Sequence, residues 1–302
     1  ARKKYTLGLY EKAMPSVLGW DEKLISAREA GFDFVEISID ETDEKLDRLD
    51  MSKADRLWLV SLMYHTGMPI RTMCLSGHRR YPLGSADPEI RRRSMEIMEK
   101  AICLADDLGI RVIQLAGYDV YYEKESRETR ENFLENLRRA VDMASSYGIQ
   151  MGFETMETPF MDTVGKAMTY VEQMRSAYLN VYPDCGNMTN AALLYGGDVC
   201  RDLREGAGHL ASLHLKETVP GKYREVPFGT GHVEFEKVIR CAWDLGIRRY
   251  VTEFWYTGSE TWRADLRDAN DRMRKMLDTM QEMTMTEAEG ENGAGRIKEE
   301  SV

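Results

Sequence analysis

Four stretches in the second half of the chain each carry an apolar run that ends in a side chain able to bind a metal or move a proton. Glu154 closes IQMGFE, Asp184 closes LNVYPD, His214 comes at the end of LASLHL, and Glu253 closes RRYVTE. Three carboxylates and one imidazole brought to a point form a cage for a divalent cation. Mn²⁺, Mg²⁺, Co²⁺ and Zn²⁺ all suit it, because carboxylates favour hard cations while imidazole draws the later metals. Without a cation the three negative charges would repel one another. Any one of these residues alone reads equally well as a strand cap or as the partner of a loop arginine. Four of them in register, on consecutive strands, favour ligation over that reading.

Such residues meet only if something lines up the ends of their strands. The runs AGFDFVEISI, LGIRVIQLAG, YGIQMGFETM and LGIRRYVTEFW each begin at a turn that ends a helical pattern, so Gly31, Gly109, Gly148 and Gly246 read as helix stops. With YTLGLYE near the start, PIRTMCLS from Pro69, LNVYPDCGN from Leu179 and LASLHLKET from Leu210, there are eight strand candidates. They recur at roughly the 30- to 40-residue spacing of βα units. Between them, SMEIMEKAICLADDLG and ENFLENLRRAVDMASSYG place apolar residues three and four apart, as an outer helix requires. The expected fold is α/β, a single-domain (β/α)8 TIM barrel over residues 1–283, with its chemistry at the C-terminal ends of the strands. An open doubly wound sheet is the competitor, but no GxGxxG follows the first strand. From Thr284 the sequence TMTEAEGENGAGRIKEESV is polar and lacks an apolar period, so residues 284–302 are expected to form a disordered tail.

Composition narrows the function. A chain of 302 residues, 43% hydrophobic and 30% charged, can bury one large core. Its net charge of −10 repels nucleic-acid phosphates and anionic membranes, which argues against both as partners. The five cysteines, Cys74, Cys103, Cys185, Cys200 and Cys241, include no CxxC pair and read as free thiols of a reducing compartment. No signal-peptide h-region follows ARKKYTLGLYEK and no run of about 18 apolar residues occurs, so a cytoplasmic location is expected. The 19 methionines are read as packing between helices and strands.

The segments ETM at Glu154, YPDCGN at Asp184, HLKET at His214 and TEFW at Glu253 resemble the xylose-isomerase-like barrel superfamily. Within it, LGLYEKAMP, CLSGHRRYPLGS and QLAGYDVYYE make the chain most similar to the L-ribulose-5-phosphate (L-xylulose-5-phosphate) 3-epimerases of ascorbate and pentose catabolism. The resemblance implies one divalent metal, a small sugar-phosphate substrate, a homodimer, and proton transfer at C3 by Glu154 and Glu253. A C3 proton beside a C2 carbonyl is acidified when a cation draws charge from the neighbouring oxygens, and inversion needs a proton-transfer group on each face. Inosose dehydratases, hydroxypyruvate isomerases and other sugar isomerases share the barrel and remain alternatives, as does a non-catalytic sugar-phosphate or metal binder. An apurinic endonuclease would need many more histidines than the five present.

Supporting residues follow from the same regions. Glu157, three past Glu154, could bond substrate hydroxyls. Related sugar epimerases often have a histidine three residues past the metal aspartate, where this chain has Asn187. Arg224 resembles an arginine that contacts the substrate in relatives. A phosphate dianion needs cationic donors, and His78, Arg79, Lys12 and Lys216 follow strands at the expected mouth. Glu36, within FVEIS, is expected near the sugar. His65, His209 and His232 read as packing histidines.

Overall fold

The computed structural model describes the backbone of residues 4–299 and the side chains of residues 4–286. Eight strands alternate with helices in chain order. The strands are β1 (Thr6–Tyr10), β2 (Phe34–Ile39), β3 (Ile70–Leu75), β4 (Val112–Ala116), β5 (Gln150–Glu154), β6 (Leu179–Val181), β7 (Leu213–Leu215) and β8 (Arg249–Thr252). The helices are α1 (Trp20–Glu29), α2 (Asp43–Leu46), α3 (Lys53–Thr66), α4 (Pro88–Leu108), α5 (Arg127–Tyr147), α6 (Val164–Met174), α7 (Cys185–Tyr195), α8 (Val199–Glu205), α9 (Phe235–Asp244) and α10 (Trp262–Glu299). The backbone of α10 thus continues past residue 283. Most of the expected tail, 284–302, lies outside the residues whose side chains are described, and its separation from the barrel stays a proposal.

All neighbouring strands are parallel, in the order β6-β5-β4-β3-β2-β1-β8-β7. The ring closes between β6 and β7 through the bridges Val181↔Leu210 and Asp184↔His214. These two strands are shorter than their apolar runs suggest. Pro183 has no N–H to continue a ladder, and the pairing resumes only where His214 N–H donates to the Pro183 carbonyl at 2.9 Å. Asp184 therefore lies beyond β6, at the N-cap of α7, and His214 sits in the middle of β7 rather than at its end.

The helices start and stop where local chemistry dictates. Asp87 caps α4 ahead of Pro88, and Ser126 and Thr129 form a reciprocal capping box on α5. Gly31, Gly109, Gly148 and Gly246 all take positive φ, as expected of helix stops.

Alternation along each strand sorts side chains into two cores. Leu7, Leu9, Val35, Ile37 and Ile39 face outward and pack with Leu24, Ala27, Leu59 and Met63 of the surrounding helices. Tyr10, Phe34, Cys74, Val112, Tyr182 and Val251 form a separate cluster. Two of its large rings demand small neighbours. A Cβ on Gly8 would collide with the Phe34 ring, and one on Gly152 would meet Tyr182 Cβ at 2.7 Å. The bottom of the barrel is thus plugged by aromatic bulk, and a polar layer lies above it. Many methionines do fill packing gaps, Met63, Met73, Met98, Met151 and Met273 among them. All five cysteines are free. Among the described residues no helix is long and apolar enough to cross a membrane.

Candidate metal centre and active site

Glu154 ends β5, Asp184 caps α7, His214 lies on β7 and Glu253 follows β8 directly, its N–H extending the ladder to the Leu215 carbonyl at 3.0 Å. One ligand atom from each of these four buried residues lies within 4.8 Å of every other, so the set expected from sequence is brought together. Asp184 and His214 are held from outside the cluster. The hydroxyl of Thr155 accepts the Asp184 N–H at 3.0 Å, and Asp184 Oδ1 accepts the Asn187 N–H at 2.8 Å. Asp184 Oδ2, fully buried, has no hydrogen-bond donor. Lys216 Nζ lies 2.9 Å from it in an ion pair too oblique to be a hydrogen bond. A buried carboxylate oxygen that accepts no hydrogen bond and meets only the Lys216 ammonium, among two further carboxylates and an imidazole, suits a cation ligand, so the donor set fits a divalent ion.

The imidazole is oriented from below. His214 Nε2 lies 2.6 Å from Glu36 Oε1, while Glu36 Oε2 accepts Thr72 Oγ1–H and Tyr182 O–H, both at 2.7 Å. With Nε2–H given to Glu36, the Nδ1 lone pair is the one available to a metal. Nδ1 is 2.9 Å from Glu253 Oε2 and 3.9 Å from Asp184 Oδ2. Tyr182 stacks edge-on against the ring at 5.0 Å.

The electrostatics of the protein groups alone show how poorly three carboxylates coexist there. Burial, and then the charge of Glu253, push Glu154 up to about 8. Burial pushes Asp184 up to about 7, with Lys216 opposing and Glu253 adding to the rise. Glu253, despite its burial, is held well below the usual carboxylate range by Lys216 and His214. A divalent cation would take over the charge that these protons neutralise.

Above the cluster a cavity of about 140 Å³ is lined by Glu154, Glu253, Lys216, Asn187, Glu157, Arg224, Arg79 and Lys12. Eight of the expected site residues therefore face one small hollow. Lys12 pairs with Asp40 at its edge. Arg79 stacks on Tyr121 at 4.8 Å and lies 3.9 Å from Glu157 and 3.8 Å from Glu41, while its buried Nε has no partner. Arg224 reaches Glu157 at 3.4 Å.

Other expectations place differently. Glu36 is wholly buried under His214 and does not line the cavity, because the alternation Phe34, Glu36, Ser38 sets it one layer below the mouth. His78 turns away toward α4, where its Nε2 meets the Ser94 carbonyl at 3.1 Å, and burial lowers its pKa to about 4. Lys216 does not reach outward as a phosphate donor would but sits among the carboxylates. His65 is exposed on α3 against the Ser61 carbonyl and is not a packing residue, whereas the half-buried His232 bonds Thr218. Tyr10, Cys74 and Trp255 line the cavity without having been singled out. Trp255 lies two residues past Glu253, in the segment that follows β8, and its nearness in sequence to a candidate ligand was the signal for it.

Comparison with known proteins places this site in a family. The family described as xylose isomerase-like TIM barrel matches residues 24–283. L-ribulose-5-phosphate 3-epimerase UlaE of Salmonella heidelberg (strain SL476) is 44% identical over 276 residues, covering 91% of this chain and 96% of that protein. The protein of the same name from Escherichia coli O157:H7 matches to the same extent. Among solved structures, an L-ribulose 3-epimerase superposes with a TM-score of 0.74 at 18% identity, covering 93% of this chain and 97% of that one. D-psicose 3-epimerase with D-tagatose from Clostridium cellulolyticum H10 gives 0.73 at 17%, covering 90% and 99%. The last two likenesses concern the fold, and the first three findings settle the kinship: this chain belongs to the xylose isomerase-like TIM barrel family, among the L-ribulose-5-phosphate 3-epimerases.

Proposed function

We propose that this chain epimerises C3 of a ketopentose 5-phosphate, interconverting L-ribulose 5-phosphate and L-xylulose 5-phosphate. The observation that carries the reading is the convergence of Glu154, Asp184, His214 and Glu253 within 4.8 Å under a small cavity, in a chain 44% identical to named 3-epimerases of that substrate.

The four residues would hold one divalent cation, which would supply Lewis-acid polarisation of the substrate carbonyl and so acidify the neighbouring C–H. The protein's own part is the proton traffic. Glu154 ends β5 and Glu253 follows β8, three strands apart around the closed ring, so their carboxylates approach a substrate from different sides. One takes the C3 proton and the other returns a proton to the opposite face, which inverts the centre. The aromatic plug of Phe34 and Tyr182 below and Trp255 beside the cavity limit water at the reacting carbon. At the rim, Arg79 is preset by Tyr121 with its Nε unpaired, and with Lys12 and Arg224 it forms the cationic side where the phosphate would rest.

A substrate panel tests this reading. With L-ribulose 5-phosphate the C3 epimer should appear in the proton NMR spectrum. Turnover of unphosphorylated ketoses at a higher kcat/KM than the 5-phosphate would overturn the substrate assignment.

A further inference from the structure

Lys216 is the lysine set among the four converging residues, ion-paired with two of their carboxylates and open to the cavity. The residue is 4% exposed. Its Nζ donates to Asn187 Oδ1 at 2.7 Å, makes the oblique ion pair with Asp184 at 2.9 Å, and stands 3.8 Å from Glu253 Oε2. An ammonium has three protons, and only the one given to Asn187 is spent in a well-formed hydrogen bond. The same nitrogen lies 6.0 Å from the centre of the Trp255 ring and borders the cavity.

Asn187 is what keeps it there. Its amide donates to the Thr155 carbonyl at 2.7 Å, which turns Oδ1 toward Lys216. The residue three past Asp184 is thus an anchor for a cation, and the cation follows directly on the strand that carries His214. His214 lies on β7 and Lys216 follows the strand's last residue directly, so one strand end delivers both.

Charge arithmetic gives this placement a purpose. The three ligand carboxylates with one divalent cation carry one net negative charge, which Lys216 offsets before substrate arrives, while Glu36 stays on the far side of His214. Removing a proton from C3 then adds a negative charge on the substrate oxygens in a place where only a preset donor can meet it at no reorganisation cost.

We propose that Lys216 is a catalytic residue of this site, an electrophile that donates a hydrogen bond to the substrate oxygen on which charge develops during C3 deprotonation. In the step, the C3–H electron pair becomes the C2–C3 π bond, the carbonyl π pair moves to O2, and the proton passes to a glutamate carboxylate. Lys216 keeps its proton. Reprotonation of C3 on the other face reverses the flow. This inference rests on the epimerase reading and deepens it.

The test is Lys216→Met in the full chain loaded with Mn²⁺, with Asn187→Ala as a second variant that leaves the lysine in place but unanchored. Three quantities are read: Mn²⁺ affinity, the split between kcat and KM for L-ribulose 5-phosphate, and binding of an anionic hydroxamate mimic of the enediolate against a neutral sugar-alcohol phosphate. For Lys216→Met, kcat should fall about 100- to 1,000-fold, as for loss of one oxyanion donor. KM and binding of the neutral analogue should stay within about threefold, the hydroxamate should lose affinity in parallel with kcat, and Mn²⁺ should bind as tightly as before or more tightly, since a like charge has gone. Asn187→Ala should move the same quantities in the same direction by less, and it carries the test if Lys216→Met does not fold. A kcat within threefold of wild type would overturn the proposal. So would a loss of Mn²⁺ affinity matching the loss of rate, which would make Lys216 a support for Asp184, or a rise in KM with kcat retained, which would make it a phosphate anchor. A wild-type chain inactive on the sugar phosphate would instead overturn the epimerase reading itself.

Discussion

Replacing Glu36 by Leu should cost the protein its grip on metal although Glu36 lies on the far side of His214 from the other ligands. The carboxylate accepts from His214 Nε2 at 2.6 Å, Thr72 at 2.7 Å and Tyr182 at 2.7 Å, all in a fully buried layer. Leu leaves three buried donors unpaired at about 1–3 kcal/mol each, so the folded state should lose on the order of 5 kcal/mol. It also frees the imidazole to turn and to place its proton on Nδ1, where it cannot ligate. Loss of such an outer partner typically lowers metal affinity about 10- to 100-fold. Glu36→Gln separates the two effects. Its carbonyl can still accept the Nε2 proton while its amide donates to the Thr72 and Tyr182 hydroxyls, so the tautomer survives and only the charge is lost. Calorimetric titration with Mn²⁺ at fixed pH, beside thermal melts, should rank affinity as wild type, then Gln about 10-fold weaker, then Leu. A Leu variant that folds and binds Mn²⁺ within about twofold of wild type would refute the argument, because His214 would then need nothing to aim it.

Three other outcomes follow from the same structure. Arg79→Met should raise KM for the sugar phosphate by roughly 10- to 150-fold, the worth of a charged hydrogen bond of about 1.5–3 kcal/mol, while activity on the unphosphorylated ketose is unchanged; equal loss on both would remove Arg79 from the phosphate. Mn²⁺ affinity should fall as pH drops below about 8 and then 7, because Glu154 and Asp184 must give up protons to bind it; a flat profile between pH 6 and 9, followed by calorimetry, would contradict this. His78 has a folded pKa of about 4 against 6.5 for the free side chain, so the unfolded chain binds the extra proton between those values. Stability from this group is full above about pH 6.5 and is lost as pH falls toward 4, by about 3 kcal/mol in all; the melting curves of His78→Gln should lack that slope relative to wild type.

Much of this was legible in the sequence because barrel strands broadcast their ends. Glu154 and Glu253 each close a mostly apolar strand run, and the helix-stopping glycines fix the phase of the units around them. What lay deeper was written in alternation and was harder to read. Glu36 and Gln114 are polar residues inside apolar strands, and sequence does not say whether such a residue faces substrate or supports a ligand from below. The structure answers by counting layers: Phe34 fills the bottom, Glu36 the middle, Ser38 the level above. His78 and Arg79 are neighbours in one short turn, and only the turn's direction sends the first into α4 and the second over Tyr121. Asn187 looked like a missing histidine until Lys216 appeared on the other end of its side chain.

The measurement that bears most directly on the central claim is deuterium incorporation at C3 during a single approach to equilibrium in D₂O. Proton NMR of L-ribulose 5-phosphate with the Mn²⁺-loaded chain should show newly formed L-xylulose 5-phosphate carrying deuterium at C3 while the remaining substrate still carries hydrogen, since different carboxylates remove and return the proton. Chelation should stop both conversion and exchange. Product that retains its original hydrogen, or conversion that survives chelation, would contradict a two-carboxylate metal centre built from Glu154, Asp184, His214 and Glu253.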